Sequence, residues 1–147
     1  MIFDNSLLLS SAQAITASAA STNVIDLGTT GTPFGSSVAL TRDIGSGEEV
    51  ELSVAVVASF NNLTSLTVAV QTSPDNSTWT TKYSGRVVPL AELVAGFQFK
   101  FPCCFDEGTD ERYVRLFYTV AGTAPSTGSV TAGPVASRQT NNSYGGR

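Results

Sequence analysis

Residues 49–60, EVELSVAVVASF, carry the pattern that decides the fold. Val50, Leu52, Val54 and Val56 alternate with Glu49, Glu51 and Ser53. Side chains on a strand point to opposite faces in turn, so this period of two buries one face and wets the other. From Val56 onward both faces are apolar. There the strand is expected either to run deeper into a core or to lie beneath a partner. Residues 66–73, LTVAVQTS, repeat the pattern, with Leu66, Val68 and Val70 set against Thr67, Ala69 and Gln71. Pro74, Asp75 and Asn76 then supply a turn, because proline presets one torsion and asparagine tolerates a positive one. A strand over 79–84 completes a hairpin spanning 66–84. Trp79, the sole tryptophan, is expected to pack on the sandwich core.

Working outward, residues 36–41 predict a short strand. Residues 87–90 predict an edge strand or a strand end, since Pro89 cannot donate to a ladder. Over 96–101, Phe97, Phe99 and Phe101 alternate with Gln98 and Lys100. Three aromatics on one face read as core packing, with an exposed strip at an oligomer contact as the other reading. Residues 113–120, YVRLFYTV, and 129–135 supply the last strands. About eight short strands between Gly, Pro, Asn and Asp turns predict an all-β fold, an antiparallel β-sandwich or jelly roll with extended N- and C-terminal arms. Three units are expected: an N-terminal arm over 1–22, the sandwich over 23–135 and a flexible polar C-terminal tail over 136–147.

Composition excludes several classes of function. Charged residues make up 14% of the chain and its net charge is −4. The 8 basic residues are scattered, without the basic face that a nucleic-acid backbone needs. There is no histidine, which removes the usual general base and the commonest zinc ligand. Cys103 and Cys104 are adjacent and cannot form a spaced zinc cluster. Free thiols are expected there, one facing in and one out. The acidic run 106–112, DEGTDER, reads as a solvent loop. Its spacing does not fit a calcium loop, and nothing in it raises one carboxyl pKa as a glycosidase requires. No catalytic, cofactor-binding or metal-binding residue is expected, and the protein is expected not to be an enzyme.

The first 28 residues do not read as a secretion signal. Asp4 stands before the apolar run Leu7, Leu8 and Leu9, and the first basic residue is Arg42. The run is too short to cross a bilayer, so no membrane partner is expected, and synthesis in a host cytoplasm is. Ile2, Phe3, Leu7, Leu8 and Leu9 are large anchors in a Ser/Ala-rich arm with no periodic partner nearby. They are expected to pack on another chain, so deleting residues 1–20 is expected to leave a folded sandwich.

The wording of this segment carries a resemblance. Met1-Ile2-Phe3-Asp4, the leucines, Ala12-Gln13-Ala14-Ile15-Thr16 and then STNVIDLG over 21–28 resemble the cement, or capsid-decoration, proteins of tailed phages of the Bordetella-phage type. The likeness continues more loosely through 50–79 and 113–120. It implies a jelly-roll protein on the outer surface of an icosahedral head, bridging neighbouring major capsid protein subunits as a dimer, with a trimer as the alternative. Arg138, Tyr144 and Arg147 are then expected to pair with, or stack on, a capsid neighbour. Two other readings remain at this point. One is a carbohydrate-binding module, for which Tyr83, Tyr113 and Tyr118 would be the exposed aromatics, with core packing an equal account of all three. The other is a phage tail or baseplate subunit.

Overall fold

Two sheets face each other across one core in the computed structural model, which describes residues 2–138. Nine strands follow in chain order: β1 Ser10–Ala14, β2 Ala19–Ala20, β3 Ile25–Asp26, β4 Leu52–Ala58, β5 Leu63–Ser73, β6 Thr80–Ser84, β7 Val88–Pro89, β8 Tyr113–Gly122 and β9 Ser129–Pro134. One sheet runs β1-β9-β4; the other runs β2-β8-β5-β6, with β3 also on β8 and β7 also on β5. Every ladder is antiparallel.

Residues 96–105 run irregularly along the free edge of β4. The Val56 N–H donates to the Phe97 carbonyl at 2.8 Å, the Phe99 N–H to Val54 at 2.9 Å and the Leu52 N–H to Cys103 at 2.8 Å. With this segment counted, the chain winds between sheets in jelly-roll order. It visits the smaller sheet at β1, the larger at β2 and β3, the smaller at β4, and the larger at β5 to β7. It then returns to the smaller at 96–105, the larger at β8 and the smaller at β9.

The period-two patterns build the core as expected. Leu52, Val54 and Val56 of β4 face Leu66, Val68 and Val70 of β5 and Val114, Leu116 and Tyr118 of β8, all essentially without solvent contact. Burying each of the aliphatic side chains stabilises the fold by about 1.5–3 kcal/mol. Phe99 is buried beneath Phe97, edge to face at 5.2 Å between ring centres. The 66–84 hairpin forms as read, and Asn76 at its turn has φ +59°. Asp75 accepts there from the Ser77 and Thr78 N–H groups at 2.9 and 2.8 Å.

Four expectations are corrected. Residues 36–41 form no strand; the segment finds no sheet edge and closes on itself, through Ser36 N–H to Pro33 and Leu40 N–H to Gly31. Beyond Val56 the strand leaves the core, with Val57 49% exposed, which corrects the deeper-core alternative and leaves the one beneath a partner open. Trp79 stands half-buried on the outer face of the larger sheet, under Arg115, because the inner face is already filled by β5 and β8. The largest correction is at the N-terminus, where the boundary between residues 22 and 23 separates nothing. β1 covers an edge of β9 and β2 covers an edge of β8, while Leu9 and Ile15 fill the core at 0% exposure. Gln13 ties the two strands together, donating to the Ala20 carbonyl at 2.9 Å and accepting from the Thr22 N–H at 2.9 Å.

Candidate functional site

Where the two ends of the described chain meet, the sandwich leaves an apolar groove open. Phe3 forms an antiparallel bridge with Val135, and the Ala136 N–H donates to the Ile2 carbonyl at 3.0 Å. Asp4 turns the chain back, accepting from the Ser6 N–H on its side chain at 2.7 Å and from the Leu7 N–H on its carbonyl at 3.1 Å. Ile2 and Leu7 are thereby held outward, at 69% and 39% exposure, beside Val50 at 39%. The groove, about 480 Å³, is lined by Ile2, Phe3, Leu7, Val50, Pro134 and Val135. A second apolar cleft of about 170 Å³ shares Leu7, Val50 and Pro134 with it, and reaches inward to Leu27, Phe105 and Val114.

Of the residues singled out in the sequence, Ile2, Phe3 and Leu7 come together here. Leu8 is half-buried and its carbonyl receives the Asn23 side chain at 2.9 Å. Leu9 is corrected: at 0% exposure it belongs to the protein's own core and offers no surface. Arg138 is pinned within the chain, its N–H to the Glu51 carboxylate at 2.8 Å and Nη2 to the Phe99 carbonyl at 2.9 Å. Tyr144 and Arg147 lie outside the described residues.

Sequence reasoning missed Val50, Pro134 and Val135, because periodicity assigns them to strands and says nothing about strand ends. It also missed Phe34, Val38 and Leu40, which project from the loop over 28–50 at 108%, 70% and 55% exposure. A bulky aromatic set between Pro33 and Gly35 was the available signal.

That loop is anchored at both ends by polar contacts. The Arg42 guanidinium donates to the Leu27 and Gly28 carbonyls. Asp43 accepts from the Gly108 N–H at 2.7 Å and the Gly45 N–H at 2.9 Å, and these bonds, the first above all, hold its carboxyl below the usual range. Gly45 approaches Asp106 so closely that a Cβ there would lie 1.9 Å from its carbonyl oxygen. The 106–112 run is thus partly docked, with Thr109 buried. Asp26 and Arg112 pair through two bonds of 2.7 and 2.8 Å, which lower the Asp26 carboxyl to about 2.

Both cysteines are half-buried, not one in and one out, with sulfurs 3.8 Å apart. Burial, then the neighbouring thiol, pushes Cys104 up to about 11. Among the described residues no cluster of His, Cys, Asp and Glu could hold a metal. Of the three tyrosines weighed for sugar binding, Tyr118 is buried against Ser10 and Tyr83 turns inward to Cys104 and Asp106. Tyr113 alone faces outward, beneath Arg112.

Residues 9–138 match the Bbp16 family. The chain belongs to this family. It is a Bordetella-phage protein family, and no curated protein matches the chain. The match begins at Leu9, a fully buried core residue, and ends at Arg138, so it spans the whole sandwich. The segment carrying Ile2, Phe3 and Leu7 precedes it.

Proposed function

We propose that this chain is a phage structural protein that cements the head. It binds the outer surface of the icosahedral shell and bridges major capsid protein subunits, working as a dimer. The observation that carries this reading is the open apolar groove of Ile2, Phe3 and Leu7 on a chain of a Bordetella-phage family. A rigid jelly roll suits a block that spans a seam, and an exposed apolar groove at one end suits a contact with a neighbour. Repetition over a closed shell multiplies contacts that are modest singly. The reading assigns the chain no catalysis, cofactor, nucleic-acid partner or membrane partner, in keeping with the absence of histidine and the net charge of −4.

The test is decoration of heads stripped of this protein. Purified protein should bind them at saturable copy number. Ile2→Asp and Leu7→Asp should abolish binding while the melting temperature stays within a few degrees. Stripped heads that take up neither parent nor variant would remove the reading.

A further inference from the structure

β8 sends Val114, Leu116 and Tyr118 into the core and Arg115 and Phe117 to the outer face of the larger sheet. Phe117 lies across from Ala69, which is only 5% exposed although it points outward. Apolar side chains of Trp79, Phe117 and Ala69 thus lie together around the Arg115 cation. The Arg115 guanidinium stands 3.9 Å over the Trp79 ring and 6.0 Å from that of Phe117. Its Nε donates to the Gln71 side-chain carbonyl at 2.9 Å, and Gln71 is fixed in turn by Thr81 at 3.1 Å.

The other described arginines spend a terminal nitrogen on an acceptor within the chain. Arg42 bonds the Leu27 and Gly28 carbonyls, Arg86 pairs with Glu92, Arg112 gives Nη2 to Asp26, and Arg138 bonds the Phe99 carbonyl. The terminal nitrogens of Arg115 meet no acceptor among the described residues. Partial burial with no compensating anion also depresses its pKa, a cost that an incoming anion would relieve.

We propose that Arg115 is a docking point for an acidic side chain of a protein partner. A planar guanidinium held by an aromatic ring and an amide presents its free edge for two parallel bonds to a carboxylate. Its rotamer freedom is already spent, so binding loses little more entropy. The floor of Trp79, Phe117 and Ala69 suits the apolar part of the loop that carries the acid. A phosphate chain fits poorly, because one cation on a protein of net charge −4 cannot neutralise successive phosphates. That the partner is the capsid lattice rests on the reading above; the site itself does not.

Trp79 is the only tryptophan, so its fluorescence reads this site directly. The protein is titrated with an end-blocked tetraglutamate peptide, its tetraglutamine counterpart and polygalacturonate, and separately with stripped heads. The glutamate peptide should give a saturable change that the glutamine peptide does not, and R115Q should abolish it. On heads, R115Q should weaken binding about tenfold or more at unchanged melting temperature, as loss of a charged hydrogen-bonded contact implies. R115K, which keeps the charge without the planar fork, should fall between and serves if R115Q unfolds. A parent protein blind to the glutamate peptide overturns the proposal, and R115Q binding heads within about twofold of the parent overturns the capsid as the partner that Arg115 docks. A response to polygalacturonate alone overturns it in favour of a sugar site. Failure of the parent on heads would sink the cement reading, while the peptide titration still decides Arg115.

Discussion

Tyr118 shows how one polar atom in a β core is made safe. It is fully buried, and its hydroxyl lies 2.8 Å from that of Ser10, which in turn donates to Gln13 at 2.7 Å. The bond joins β8 to β1 across 108 residues. Tyr118→Phe should cost about 1 kcal/mol, the usual net worth of a buried hydrogen bond, with Ser10 keeping its bond to Gln13. Urea unfolding checks it. The tyrosine was legible as part of a strand, but its partner was not, because hydrogen bonding at long range leaves no trace in local alternation. Cys104 is a second residue-scale case. With its thiol pushed up to about 11, it should react with a thiol reagent at pH 8 more slowly than a free cysteine, and it should regain the ordinary rate in urea.

At the scale of elements, β1 separates the two accounts of the N-terminus. The sequence reads as an arm because Ser10–Ala14 carries no apolar residue larger than alanine; Ser10 is buried, Gln13 half-buried and the rest are small and exposed. Edge pairing to β9, not an apolar stripe, makes it a strand. Deleting residues 1–20 should therefore unfold the protein, in contrast to the expectation from sequence. Leu9→Ala or Ile15→Ala should each cost about 2–5 kcal/mol, since a cavity opens in a packed core. Circular dichroism melts of the three variants settle the matter; a deletion that melts with the parent would restore the arm. β5 and β8 are the opposite case. Their apolar residues alternate so regularly that a register slip by one would turn every core side chain to solvent, and both strands are as read.

At the scale of the whole molecule, acid should loosen the fold. Asp26, Asp43 and Asp75 all have carboxyl groups held below the ordinary value of 3.8: Asp26 chiefly by its Arg112 hydrogen bond, Asp43 by the Gly108 N–H and Asp75 by the Thr78 N–H. A carboxyl with a depressed folded pKa contributes stability that is fully present above the unfolded value and is lost as pH falls towards the folded one. The melting temperature should thus stay level from neutral pH to just above 4 and fall between about 4 and 2, the Asp26 value. Asp26→Asn should flatten part of that fall; a variant with the parent's full acid slope would rule out the Asp26–Arg112 pair as a source. On the cement reading, heads lacking the protein should form with normal geometry yet release DNA at lower temperature or after osmotic shock. Nuclease-accessible DNA measured against temperature reads this directly, and equal release with and without the protein would remove the role.

Alternation along 49–60, 66–73 and 113–120, with turn residues between, was enough to establish an antiparallel all-β chain wound as a sandwich. That information is local, since each side chain's face follows from its neighbours' spacing. The tertiary structure alone decided which edges were open. It drew residues 9–21 into the sheets, kept 36–41 out of them, and placed Trp79 on the outer face. It also set Ile2, Phe3 and Leu7 against Val50 and Pro134, residues far apart in the chain. Such choices depend on which edges and hollows the other strands leave unfilled. That is a property of the assembled sandwich, and no stretch of sequence contains it.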